Sequence, residues 1–152
     1  MKMLKGTKGF TLVELIIVLA VIAIILGVVI PAIRGMQEEA NLTRSEQELH
    51  TLETAVMSYF RHNAAYPAGI TTDLTGASPK IVENVLDDPF DTDATNDTYG
   101  YITGNDAEFG DYYILYTRGP DATGETSWNA TTDQVDTGGD DIVVSNGFIN
   151  VQ

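Results

Sequence analysis

The chain has 152 residues, with 22 acidic side chains against 8 basic ones and no cysteine. That length suits one domain plus an anchoring segment. A net charge of −14 repels nucleic acid, whose phosphates need clustered Lys and Arg, and the lack of cysteine excludes any disulfide staple.

Lys2, Lys5 and Lys8 form a short basic leader that ends at Gly9. Phe10-Thr11-Leu12-Val13-Glu14 follows, and residues 15–30 then carry no polar side chain before Pro31. Residues 10–33 span 24 positions, with Thr11 and Glu14 as the polar ones. As a helix this is about 36 Å, enough to cross a bilayer core of ~30 Å with some tilt. A secretory signal peptide would have a shorter apolar core and a small-residue cleavage site, and no Ala-x-Ala follows Ile30. A plain anchor explains the length but not Glu14. A carboxylate inside a spanning helix costs about 2.5–3.5 kcal/mol on insertion scales, and such groups are usually functional.

Gly9-Phe10-Thr11-Leu12-Val13-Glu14 before an apolar helix resembles the class III leader of type IV pilins and type II secretion pseudopilins. The resemblance implies cleavage between Gly9 and Phe10 by a prepilin peptidase and N-methylation of Phe10. It gives Glu14 and Pro31 roles in assembly, and it implies a homo-oligomeric helical filament. The implied partners are an inner-membrane assembly platform with its ATPase, and minor pilins or pseudopilins. The lysines place the leader in the cytoplasm by the positive-inside rule. The expected localisation is single-pass in a bacterial inner membrane, with the soluble domain outside the cytoplasm, then in a periplasmic pseudopilus or an extracellular pilus. The expected organisation is a leader at 1–9, an apolar helix at 10–33 and a globular domain at 34–152.

The helix continues to about residue 62. Leu42, Leu49, Leu52, Val56, Tyr59 and Phe60 share one face, and Thr43, Gln47, His50, Thr54, Ser58 and Arg61 share the opposite one. Pro31, one turn after Gly27, predicts a kink. The family resemblance adds a second reading, in which the segment between Gly27 and Pro31 loses helical structure on assembly. Tyr66-Pro67 and Gly69 end the helix. Ser78-Pro79 predicts a short second helix carrying Ile81, Val82, Val85 and Leu86 on one face. Strands are predicted at 99–102, 111–117, 141–145 and 148–151, the last two joined as a hairpin by Asn146-Gly147. The fold class is α+β, pilin-like: one long N-terminal helix on a small antiparallel sheet of three or four strands. Trp128, in a polar stretch, either makes an exposed contact or tucks onto the sheet.

Fourteen of the 22 carboxylates lie in residues 87–141. Oxygen-rich loops suit calcium. Asp91-Thr92-Asp93 starts like an EF-hand, but Asn96 and Ile102 stand where glycine and glutamate are needed. Tyr66-Pro67, Asp88-Pro89-Phe90 and the stretch from Tyr116-Thr117 to Asp121, closed by Gly138-Gly139-Asp140-Asp141-Ile142, resemble the major, G-type pseudopilins. These bind calcium at the corresponding loop. The resemblance implies a calcium site from Asp121, Asp140, Asp141 and Thr117. Phe90 departs from that pattern's Trp, and Ala122 from its Gly. No catalytic constellation is readable: His50 and His62 fall on the polar side of the helix, and there is no phosphate loop. The expected function is therefore structural, not enzymatic: the major pseudopilin of a type II secretion system, polymerising into a periplasmic pseudopilus. The alternative is a surface type IV pilin for adhesion, motility or DNA uptake.

Overall fold

The computed structural model describes residues 9–78, 80–91 and 98–151. The leader lysines, Pro79 and residues 92–97, including Asp93 and Asn96, lie outside the described residues.

Helix α1 runs over Leu12–Asn63, two residues later at its start than the sequence pattern suggests. The chain falls into two compact units, Met1–Glu39 and Ala40–Gln152. In the first unit the apolar side chains lie exposed, Ile24 and Val28 each at 71 %. That segment is long and apolar enough to cross a membrane. Pro31 lies inside α1, with helical residues on both sides of it.

In the second unit α1 buries Ser45, Leu49, Leu52, Ala55 and Val56. The sequence-predicted apolar face supplies Leu49, Leu52 and Val56, while Leu42 is half-buried. Small Ser45 and Ala55 let the helix lie close to what it covers. Arg61 and His62 in the last turn suit the negative end of the helix dipole. Ala64 ends the helix at φ 53, donating its N–H to the Phe60 carbonyl at 2.8 Å. That left-handed position usually takes glycine.

The second helix is not where the sequence suggested. Residues 80–86 are not helical; α2 is Ile70–Gly76. Ile70 and Leu74, one turn apart, are buried, and the Asp73 carboxylate accepts the N–H groups of Ala68 (2.7 Å) and Gly69 (3.3 Å). That local capping fixes the helix start without a Ser or Pro. Ile81, Val82, Val85 and Leu86 still pack against the core, from irregular backbone.

There are two sheets among the described residues. In the first, β1 (Gly100–Asp106), β2 (Gly110–Thr117) and β5 (Ile142–Ser145) run antiparallel in the order β1-β2-β5. One face carries Tyr113 and Leu115 into the core with Leu49, Leu52, Val56, Ile70 and Leu74. Burial pushes Tyr101 up to about 12. Burial and then the Glu53 charge raise Tyr113, whose hydroxyl donates to Glu53 on α1 at 3.4 Å. Tyr99 likewise donates to Glu48 at 2.7 Å, tying the sheet end to the helix. On the other face Gly100 and Gly104 stand opposite Tyr116 and Tyr112, and a Cβ at either glycine would run into the facing ring.

The second sheet is β3 (Ser127–Asn129), β4 (Gln134–Thr137) and β6 (Phe148–Val151), with β3-β4 antiparallel and β4-β6 parallel. The Asn146-Gly147 hairpin is therefore corrected: β5 and β6 belong to different sheets, and Asn146-Gly147 is where the chain crosses between them. Trp128 tucks in. Its ring stacks on Tyr112 with centroids 4.2 Å apart, tilts against Phe109 at 5.3 Å, and its indole N–H donates to Asp106 at 3.3 Å. Val135 and Ile114 are completely buried.

Candidate functional site

The start of α1 gathers three of the predicted residues. Gly9, Phe10, Thr11 and Glu14 line one shallow cavity, and Phe10 is 87 % exposed. Gly9, Phe10 and Thr11 precede the helix, so the Gly9–Phe10 peptide lies in non-helical backbone. The helix stops short of that peptide because Thr11 and Glu14 cap it reciprocally. The Glu14 N–H donates to Thr11 Oγ1 at 3.2 Å, and the Thr11 N–H donates to Glu14 Oε2 at 3.3 Å. The Thr11 hydroxyl donates to the same carboxylate oxygen at 3.4 Å. This is a Thr-x-x-Glu capping box, which satisfies donors at the helix N-terminus. The pattern was readable in Thr11-Leu12-Val13-Glu14. In the isolated chain the Glu14 carboxylate is thus held back beside the segment that ends at Phe10. Pro31 lies 17 residues further along α1, or about 25 Å at the helical rise.

The second candidate is the acidic loop pair after β2 and before β5. Two tight turns shape it. The Ala122 N–H donates to the Gly119 carbonyl at 3.0 Å, and the Asp141 N–H to the Gly138 carbonyl at 3.3 Å. Gly119 (φ 62), Ala122 (φ 59) and Gly139 (φ 57) are left-handed. For Ala122 that conformation costs about 1–2 kcal/mol, which explains why glycine suits the position. A Cβ on Gly119 would strike Asp140, and one on Gly139 would lie 3.0 Å from Glu125 Oε2 and 3.5 Å from Asp121 Oδ2. The glycines are what let the carboxylates of Asp121, Glu125 and Asp140 approach the two turns.

Asp141 acts as a clamp. Its Oδ2 accepts the N–H groups of Glu125 (2.9 Å) and Thr126 (3.0 Å) and the Thr126 hydroxyl (2.7 Å). Its Oδ1 is buried and has no hydrogen-bond partner among the described residues. Burial, and secondly the Asp141 charge, raise the neighbouring Tyr116 hydroxyl. Asp140 Oδ2 accepts the Asp121 N–H at 3.3 Å, and Asp121 Oδ1 accepts the Thr123 N–H at 2.8 Å.

Thr117 is engaged elsewhere. It is buried, and its hydroxyl donates to Asp88 Oδ1 at 2.7 Å. Asp88, only 3 % exposed, also accepts the N–H groups of Phe90 and Arg118 at 3.0 Å each. Arg118 in turn pairs with Asp91. The Asp88-Pro89-Phe90 and Tyr116-Thr117-Arg118 stretches, far apart in sequence, are therefore one buried polar joint. Among the described residues no three or more Asp, Glu or His side chains form a ready metal cluster. Asp121, Asp140 and Asp141 sit in one loop pair, and Thr117 stands at its edge, its hydroxyl donating to Asp88 and accepting the Gly119 N–H at 3.5 Å. Glu125, one of the converging carboxylates, was missed by sequence reading. Its only signal was its acidity among many acidic neighbours.

Comparison with known proteins agrees with this geometry. Residues 4–30 match the prokaryotic N-terminal methylation motif. The chain is 28 % identical to type II secretion system core protein G of Escherichia coli over 120 residues, covering 75 % of this chain and 82 % of the relative. It is 25 % identical to the Vibrio cholerae core protein G over 127 residues, 76 % of this chain and 84 % of the relative. A fimbrial protein of Pseudomonas aeruginosa is 40 % identical over 55 residues, 36 % of each chain. No solved structure is a significant match. The chain thus carries the prokaryotic N-terminal methylation motif and is similar over most of its length to type II secretion core protein G.

Proposed function

We propose that this chain is a structural subunit, not an enzyme, of a type IV-class filament: the major pseudopilin of a type II secretion system. One combination carries the reading. An apolar helix long enough to span a membrane begins directly after an exposed, non-helical Gly9–Phe10 peptide, with a carboxylate held beside it. A membrane anchor alone needs none of these except the length. The alternative of a surface pilus rests on fimbrial and type IV pilin matches, which cover 36 % and 51 % of the chain, against 75 % for core protein G of Escherichia coli.

In this reading a membrane peptidase cuts between Gly9 and Phe10, and the new Phe10 amine is methylated. The acidic domain stays outside the cytoplasm. Copies extracted from the inner membrane by an assembly platform and its ATPase pack their apolar helices together, and minor pseudopilins complete the filament. A heterologous contact that does not close on itself generates such a helix. Glu14 leaves its capping box partly free to meet the Phe10 amine of the next copy. In an apolar bundle an ion pair is far stronger than in water, and an unpaired charge is costly. Pro31 shapes the same helix further along. Expressed with a prepilin peptidase, the chain is expected to lose residues 1–9 and begin at N-methyl-Phe10 in intact-mass and fragmentation spectra. A chain that keeps its leader, or is cut elsewhere, contradicts the reading.

Calcium belongs to the same proposal. The donor set is chemically right: exposed carboxylates of Asp121, Asp140 and Glu125 around glycine turns, and the unpartnered Oδ1 of Asp141. Bound there, calcium would supply positive charge that neutralises these carboxylates and locks the loops. Thr117 ties the loop to Asp88 and accepts the Gly119 N–H. Modules outside the cytoplasm bind calcium at about 10⁻⁴–10⁻³ M. Titrating the full chain in detergent micelles with millimolar calcium is expected to give binding heat and a higher melting point, both lost in Asp140→Ala. Absence of heat and of any thermal shift would remove calcium from the proposal.

A further inference from the structure

We propose that Asn146-Gly147 is a deamidation site whose reactivity is gated by folding, and that its products cannot rebuild the crossing between the two sheets.

Asn-Gly is the dipeptide in which the next backbone nitrogen most easily reaches the asparagine side chain, because glycine offers no Cβ to block it. The Gly147 nitrogen attacks Asn146 Cγ, forming a C–N bond. The Cγ–NH₂ bond breaks, ammonia leaves with the proton from Gly147 nitrogen, and a cyclic imide remains. Water then opens the ring at either carbonyl, giving aspartate or isoaspartate. Water is the only co-reactant, and nothing is oxidised or reduced.

The fold opposes every part of that step. Asn146 follows the last β5 residue paired to β2, Ser145 opposite Ile114. Where the ladder would next pair backbone with Tyr113, the Asn146 side chain does so instead: its Oδ1 accepts the Tyr113 N–H at 2.8 Å. Its Nδ2 donates to the Asp111 carbonyl at 3.0 Å and to the Tyr66 hydroxyl at 3.3 Å. The electrophile is therefore pinned against β2, using both ends of the amide. The nucleophile is held too. The Gly147 N–H donates to Ser145 Oγ at 3.0 Å, and that hydroxyl is fixed by donating to the Tyr113 carbonyl at 2.6 Å.

The same contacts show what deamidation destroys. An aspartate keeps the acceptor for Tyr113 N–H but has no donor for the Asp111 carbonyl. Its new charge also lies near Asp111, whose own charge already reaches Tyr66. Isoaspartate adds a backbone carbon between β5 and β6, against the fixed register of Gln134 opposite Phe148. Gly147 has no room to adjust, since a Cβ there would lie 2.8 Å from the Trp128 ring.

The test incubates the full chain in detergent micelles at mildly alkaline pH, folded or in denaturant. The peptide after Arg118 is then mapped by mass spectrometry, with fragmentation separating Asn146 from Asn129 and Asn150. In denaturant, Asn146 is expected to deamidate well ahead of the other two. In the folded chain it is expected to react at least about tenfold more slowly, because reaction waits on local opening. Ser145→Ala, with its melting point checked, should raise the folded rate. Material deamidated in denaturant should refold with a lower melting point than untreated chain. Equal folded and unfolded rates, or deamidated chain that refolds with an unchanged melting point, would overturn the proposal.

Discussion

Glu14→Ala is expected to insert in the membrane normally and to yield no filaments. The apolar run is untouched, and removing the carboxylate can only ease insertion; in the first turn of α1 the relief is below the ~2.5–3.5 kcal/mol of a charge at a helix centre. What is lost is the proposed partner for the Phe10 amine of the next copy. One confounding effect is built into the structure, because Glu14 also accepts the Thr11 N–H as part of the capping box. Loss of a cap is worth about 0.5–2 kcal/mol to a helix. Glu14→Gln separates the two roles: its amide oxygen can still accept from Thr11 but carries no charge. Filament yield and membrane fractionation are measured on both variants. If Glu14→Gln assembles like the parent, the charge is not what joins subunits.

Leu52→Ala should be the most damaging single change among these in the soluble unit. Leu52 is 1 % exposed, on the face of α1 that meets Tyr113, Leu115, Ile70 and Leu74. Emptying such a site costs about 2–5 kcal/mol, a transfer term plus a cavity term. That is a large share of the roughly 5–15 kcal/mol by which domains are stable. Denaturant unfolding of parent and variant, followed by far-ultraviolet dichroism, gives the difference. Leu42→Ala, at a half-buried position on the same face, should cost clearly less. Equal losses at the two positions would mean that the helix does not bury the face assigned to it.

The long-range plan was legible because it rests on periodicity and on runs. A continuous apolar stretch and a repeating Leu49, Leu52, Val56 face need only a helix to make sense, and α1 follows both. The strong strand at β2 was equally plain from its aromatic and β-branched residues. What failed to show was decided by partners distant in sequence. The short helix depended on Asp73 reaching back to Ala68 and Gly69, a cap that hides in a run of threonines. β3 and β4 are three and four residues long, rich in polar side chains, and gain their order from Trp128 on Tyr112 and from the parallel pairing of β4 with β6. Asn146-Gly147 carries a hairpin signal, yet β5 is taken by β2 and β6 by β4. Local turn chemistry lost to tertiary pairing.

The candidate sites divide in the same way. The surroundings of Glu14 are local, since its hydrogen-bond partner Thr11 lies three residues before it. The acidic loops were readable as a region, not as a set of roles. Asp141 is a clamp for Glu125 and Thr126, and Thr117 belongs to Asp88. Such assignments need the relative placement of turns more than fifteen residues apart, which composition and spacing do not encode.

Assembly itself gives the most direct test. The chain is expressed with a prepilin peptidase and a type II secretion assembly platform, and the sheared and membrane fractions are imaged by cryo-electron microscopy. The expected result is helical filaments of chain beginning at Phe10, with the apolar part of α1 in the core and each Glu14 carboxylate against a neighbouring Phe10 amine. Processed chain that stays monomeric in the membrane, or filaments in which Glu14 meets no amine, would contradict it.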